Sequence, residues 1–189
     1  MDIRIIIRHK RFKSQGDYIS EPISQLEHSL QTANCAKEAA IVAALLHDCG
    51  QIIGNDMLLT SGESVGRHGH DILGGMYLES RGFPPEVYEL VRDHVVAKRY
   101  LCAVDEEYYE GLSEGSKRSL EFQGGPFKGT QIEQFEKDPL FAEKVQMRKF
   151  DDGAKRIGAK VPFIDEYREI VVRVLDLART ESEAVQVHG

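Results

Sequence analysis

Four histidines and two aspartates, His28, His47, Asp48, His70, His94 and Asp151, are placed along the chain as ligands for a pair of metal ions. Three of the histidines fall on or beside apolar helical stretches, and His47 is followed at once by Asp48. Six donors exceed what one metal ion normally takes from a protein. By count, His28, His47, Asp48 and Asp151 fill most of one shell, and His70 and His94 serve a second ion bridged by Asp48. Imidazoles and carboxylates without suitably spaced thiolates suit iron or manganese, and argue against a structural zinc site of the Cys-rich kind.

Each of these residues also has an ordinary reading. An isolated inward histidine such as His28 is more often a hydrogen-bonded core residue, and an isolated Asp151 is more often a helix-end carboxylate. His68 reads as a loop residue, although its closeness to His70 leaves that pair ambiguous. His9 and His188 lie near the termini and read as solvated. The His47-Asp48 pair resists such a reading, because it ends the apolar run Ile41-Val42-Ala43-Ala44-Leu45-Leu46. A charge in that position is avoided unless it is paired or bound to a metal.

Cations accompany the donors. Between Glu86 and Leu101, His94 and Lys98 are four apart on the stripe of Val87, Leu90, Val91, Val95 and Leu101, so both face inward. Arg148 and Asp151 repeat the theme three apart, beside Val145 and Phe150. A buried cation next to an imidazole is costly unless an anion meets it.

The elements that must position these groups are helical, since apolar residues recur mostly at spacings of three and four. Pro22 opens a helix to about Lys37, and a second runs from Glu38 to about Cys49, with Gly50 and Gly54 available to end it. A third spans Asp71–Ser80. Pro84 and Pro85 start a fourth that reaches about Leu101. Residues 103–137 read as short helical pieces joined by loops. Pro139 opens a helix to about Asp152, and Ile164 another to about Thr180, after which residues 181–189 should fray. Residues 2–8 fit either a strand or a helical turn. The expectation is an all-α bundle in one domain over residues 1–189, with its core at about 17–180, built around a dinuclear metal site.

Composition bounds the rest. The 189 residues suffice for one sizeable core. A net charge of −7 argues against a broad nucleic-acid or anionic-membrane surface. Cys35, Cys49 and Cys102 have no metal-type spacing and read as reduced thiols. Met1–Lys10 is neither a signal peptide nor a membrane span. The expectation is a cytoplasmic protein with no obligate protein partner.

His28, His47-Asp48 and Asp151 resemble the ligands of the HD-domain superfamily of metal-dependent phosphohydrolases, and His70 and His94 resemble the additions of its two-metal branch. Ordered blocks bring the chain closer to the small HD-domain oxygenases that break carbon–phosphorus bonds in phosphonate catabolism: residues 18–31 (Tyr-Ile-Ser-Glu-Pro-Ile-Ser-Gln-Leu-Glu-His-Ser-Leu-Gln), 94–101 (His-Val-Val-Ala-Lys-Arg-Tyr-Leu), Gln123-Gly124-Gly125-Pro126 and 136–141 (Glu-Lys-Asp-Pro-Leu-Phe). The resemblance spans about Asp17 to Asp152. It implies two irons, mixed-valent Fe(II)/Fe(III), with Asp48 bridging and dioxygen as co-substrate. It implies that a 1-hydroxy-2-(amino or trimethylammonio)ethylphosphonate is converted to glycine or glycine betaine plus phosphate. Tyr18 and Glu21 match a segment that guards the iron and faces the substrate's amino end. Lys98, Ser116, Ser119 and Arg148 match positions that receive the phosphonate, with Arg148 able to hold two oxygens.

One departure stands out. Three positions after the HD pair, where the glycine-forming enzymes have a phosphonate-binding histidine, this chain has Gln51, which donates a hydrogen bond but carries no charge. Two rival readings share the ligand set. An HD phosphohydrolase acting on a nucleotide or phosphomonoester would use the same cations and need no dioxygen. A metal-stabilised sensor would turn nothing over, which leaves the guarding Tyr18–Glu21 segment without a purpose.

Overall fold

A computed structural model describes Ser24, Ser29 and residues 38–53 and 67–187, with side chains as far as Thr180. The all-α expectation holds. Among the described residues eight α-helices are delimited: α1 (Glu38–Leu46), α2 (His70–Ser80), α3 (Pro85–Val104), α4 (Glu106–Glu110), α5 (Glu114–Phe122), α6 (Gln131–Glu136), α7 (Phe141–Gly153) and α8 (Arg168–Val187). Short 3-10 turns at Cys49–Gln51 and Ile164–Tyr167 follow α1 and precede α8. No helix among the described residues is long and apolar enough to cross a membrane. Apart from Ser24 and Ser29, the expected helix from Pro22 lies outside the described residues, as do residues 2–8, Tyr18, Glu21 and His28.

The central element is α3, the pillar against which α1, α2 and α7 all pack. Pro85 at its first position has no N–H to leave unpaired and is already bent to helical φ. Its inward stripe is Val87, Leu90, Val91, His94, Val95, Ala97, Lys98 and Leu101, with Tyr100 also buried. The N-terminal half of this stripe joins a core of Val42, Leu45, Leu46, Leu78, Phe83, Met147, Tyr167, Val171 and Val174. Burying each large aliphatic side chain contributes about 1.5–3 kcal/mol, which offsets the desolvation of the charges set among them. The C-terminal half meets a second cluster, where the Tyr100, Phe135 and Phe141 rings lie 5.2–5.4 Å apart in tilted and edge-on contacts.

Two close approaches bring the functional turns together. A Cβ on Gly50 would lie 1.8 Å from the His70 carbonyl oxygen and 2.9 Å from Gly74 N. Only glycine lets the turn after Asp48 touch the start of α2. On the other face of α2, a Cβ on Gly75 would sit 2.7 Å from Arg92 Cβ, so its absence lets α2 lie hard against α3.

Several boundaries differ from the sequence reading. The helix expected to reach about Cys49 stops at Leu46, and His47 and Asp48 form a turn that tightens into the 3-10 segment, with Gln51 N donating to Asp48 O at 3.0 Å. The helix expected from Pro139 begins at Phe141, because Pro139 and Leu140 make a turn in which Asp138 accepts from the Leu140 and Lys144 donors. Ile164–Tyr167 is a 3-10 turn, and α8 continues to Val187 instead of ending near Thr180. The stretch 181–187 contains good helix formers and neither glycine nor proline, so nothing local stops it.

Candidate functional site

Three histidines converge on Asp48 from three elements. His47 leaves the end of α1, His70 opens α2, and His94 sits mid-way along α3. All are buried, at 0%, 8% and 2% exposure, as are Asp48 at 4% and Asp151 at 1%. They share one local device. Each ring sets Nδ1 against a backbone carbonyl three residues earlier: His47 on Ala44 O at 2.7 Å, His70 on Arg67 O at 2.9 Å, and His94 on Val91 O at 2.7 Å. A carbonyl can only accept, so Nδ1 carries the proton and Nε2 presents its lone pair forward. This is the arrangement that orients metal-ligating histidines.

The forward nitrogens meet at short range. His70 Nε2 lies 3.1 Å from His94 Nε2 and 3.3 Å from Asp48 Oδ1, and His94 Nε2 lies 3.9 Å from the same oxygen. His47 Nε2 faces Asp48 Oδ2 at 3.5 Å and Asp151 Oδ1 at 3.7 Å. Asp48 Oδ2 is buried and accepts no hydrogen bond. Two imidazole lone pairs and a carboxylate oxygen pointed at one another repel unless a cation lies between them. Asp48, His70 and His94 therefore have the spacing and chemistry of a metal shell, and Asp48 turns its second oxygen towards His47, which also faces Asp151, as a bridging ligand would.

The electrostatics agree. Burial alone would raise the Asp48 carboxyl, but His47 and the hydrogen bond and charge of His70, with His94 behind, hold it well below the usual carboxylate range. Burial and the neighbouring His70 push His94 down, keeping it in the neutral form that ligates. Burial also pulls on His70, yet Asp48 outweighs it and leaves His70 above its ordinary value. A metal ion would replace the proton that Asp48 draws to this ring.

A pocket opens beside the donors, lined by Asp48, His70, His94, Gln51, Lys98 and Arg148, and by Gly115, Ser116, Ser119 and Gln123 from α5 and its C-terminal cap. Lys98 is 2% exposed, and its ammonium donates to Ser116 O and Ser119 Oγ at 2.8 Å and to Gln123 Oε1 at 3.2 Å. Burial and the nearby Arg148 lower its pKa to about 7. The first turn of α5, capped by Ser113 Oγ, also faces the pocket, adding the partial positive charge of a helix N-terminus. This wall of the pocket gathers positive charge.

Arg148, which the resemblance implies can hold two phosphonate oxygens, already has partners within the chain. Its Nε and NH2 close on the two oxygens of Asp152, Nε also reaches Tyr108 Oη at 3.0 Å, and NH1 donates to Asp151 Oδ2 at 2.5 Å. It lines the pocket while orienting Asp151. Sequence reasoning missed Gln123, Tyr108 and Asp152. Asp152 was legible in principle, lying four residues after Arg148 on one helix. His68 lines a neighbouring pocket with Asp71, Arg92 and Asp93, and not this one.

Comparison with known proteins places these residues in context. The HD-domain family model matches residues 20–118. The chain is 37% identical over 172 residues to the 1-hydroxy-2-(trimethylamino)ethylphosphonate dioxygenase (glycine-betaine-forming) of Leisingera caerulea, covering 87% of each chain. It is 38% identical over 164 residues to the hydroxymethylphosphonate dioxygenase of Gimesia maris, covering 84% of this chain and 81% of that one.

Proposed function

This chain belongs to the HD-domain family, and on that premise we propose that it is a dioxygenase that cleaves the carbon–phosphorus bond of a 1-hydroxy-2-(amino or trimethylammonio)ethylphosphonate, yielding glycine or glycine betaine and phosphate. The observation that carries the reading is one pocket lined both by the His70–His94–Asp48 donors and by Lys98, Arg148 and the start of α5. A substrate with a hydroxyl on the carbon that bears a phosphonate needs both sets at once.

Two irons in the mixed-valent Fe(II)/Fe(III) state, one held by His28, His47, Asp48 and Asp151 and the other by Asp48, His70 and His94, would supply dioxygen activation and Lewis acidity towards the substrate's oxygens. The protein's own part is placement. Lys98 and the α5 N-terminus hold the phosphonate, and the anion displaces the longest Lys98 contact, Gln123 at 3.2 Å. Ser119 Oγ, already hydrogen-bonded to both Lys98 and Ser116 O, fixes that cradle. Arg148 keeps Asp151 oriented and adds positive potential. Tyr18 and Glu21, outside the described residues, are assigned to the substrate's ammonium end, where an aromatic face and a carboxylate suit either a free or a quaternary amine. Overall, RCH(OH)PO₃²⁻ and O₂ give a carboxylic acid and hydrogen phosphate, with both oxygen atoms retained in the products.

The test is turnover of 2-amino-1-hydroxyethylphosphonate, its N-trimethylated analogue and hydroxymethylphosphonate, in air and under strict anaerobiosis. Phosphate should appear only with dioxygen, together with glycine or glycine betaine. Phosphate released equally well without dioxygen would make the chain a phosphohydrolase.

A further inference from the structure

The three carbonyls that orient the site's histidines are not held alike. Ala44 lies within α1 and Val91 within α3, so the helical backbone of each sets the direction of its carbonyl. Arg67 precedes α2, which begins at His70, so no helix fixes its carbonyl. That carbonyl nevertheless accepts twice, from His70 N at 3.2 Å and from His70 Nδ1 at 2.9 Å. Something outside the helices must hold residue 67.

We infer that Gln51 is a positioning residue for His70, acting through the backbone of Arg67. The Gln51 side-chain oxygen accepts from Arg67 N at 2.7 Å, and the Arg67 guanidinium returns to Ile53 O. The stretch that follows Asp48 thus grips residue 67 twice, from Gln51 and from Ile53. One link of this clamp ends at Asp48, because Gln51 N donates to Asp48 O at 3.0 Å. The other ends at the His70 ring. Asp48 and His70 are therefore set relative to each other through Gln51 and Arg67, and not only by direct contact. The clamp also settles the amide's orientation. A backbone N–H must face the oxygen, so the Gln51 –NH₂ is the end left for the pocket that Gln51 lines.

This inference rests on the reading that His70 holds a metal, and the test separates the two. Fe(II) is titrated anaerobically into the metal-free full chain and into Gln51→Leu, Gln51→Glu and His70→Ala, with circular dichroism as the check on folding. Gln51→Leu removes the acceptor at similar volume and should weaken one of two iron equivalents by roughly 10- to 100-fold, the usual cost of losing a partner behind a ligand. Gln51→Glu keeps an oxygen for Arg67 N and should restore near wild-type iron affinity. Gln51→Ser, which also withdraws the acceptor, gives the same readout should the leucine variant not fold. Unchanged iron affinity in Gln51→Leu alongside a loss in His70→Ala would overturn the role of Gln51 alone. Unchanged affinity in His70→Ala would overturn the metal reading of His70 and the inference with it.

Discussion

Two clusters of potential ligands lie on α3, and they have opposite fates. One is Glu89 and Asp93 of α3 with Asp138; the other is His94 of α3 with Asp48 and His70. In the first, the Lys144 ammonium reaches all three carboxylates, at 3.3, 2.8 and 2.6 Å, and is itself fully buried. Burial would lower this lysine, but its hydrogen bonds to Asp138 and Asp93 raise it, so it stays charged. In the second, no lysine or arginine among the described residues pairs with Asp48, whose charge is met only by imidazoles. Density of ligand-type atoms is thus a poor guide to a metal. A cluster that contains its own cation braces α3 against α7, whereas a cluster with forward lone pairs and an unpartnered carboxylate oxygen awaits one from outside.

Substitutions can break that contrast. Asp48→Ala should abolish turnover and remove iron from both sites while the chain still folds, as metal analysis and circular dichroism would report. Lys144→Met should do the reverse. It leaves three carboxylates facing one another without a cation, and should cost on the order of 3 kcal/mol in chemical denaturation, with iron per folded chain unchanged. Iron loss in Lys144→Met would mean that the two clusters are one system.

The anion wall gives effects of intermediate size. Lys98→Met removes one charge-assisted contact and should lower kcat/KM by roughly 10- to 100-fold, mostly through KM, without loss of iron. Its pH dependence has a definite sign. Free Lys98 titrates at about 7, and a bound phosphonate favours the charged form and raises that value. Affinity should therefore be fullest below pH 7 and decline as pH rises through it, after correction for the substrate's own ionisation. Lys98→Met should lack this decline. The smallest effect belongs to an ion pair with neither burial nor a network. Arg173 and Glu38, 2.8 Å apart and both about half exposed, should contribute less than about 0.5 kcal/mol, measurable as the stability change in Arg173→Ala.

Part of this cluster was legible because two stretches broke a local rule. His47-Asp48 closed an apolar run, and His94 and Lys98 lay on an apolar stripe; the structure buries all four and brings His47, Asp48, His70, His94 and Asp151 together. Helix spacing on α3 was legible for the same reason. What escaped was pairing between distant segments. Lys144 finds Glu89 fifty-five positions away, and Tyr108 reaches Asp152 across forty-four; no periodicity announces either. The capture of Arg148 by Asp152 was missed because an inward guanidinium suggests an anion without saying whether the chain provides it. The clamp from Gln51 to Arg67 depends on Gly50 letting two turns touch, a contact that sequence spacing does not encode.

The most direct test of the central claim is the metal content of the full chain purified without oxygen. The account predicts about two iron ions per chain, the number that six imidazole and carboxylate donors sharing one bridge imply. A single tightly held zinc ion, or no retained metal, would contradict it.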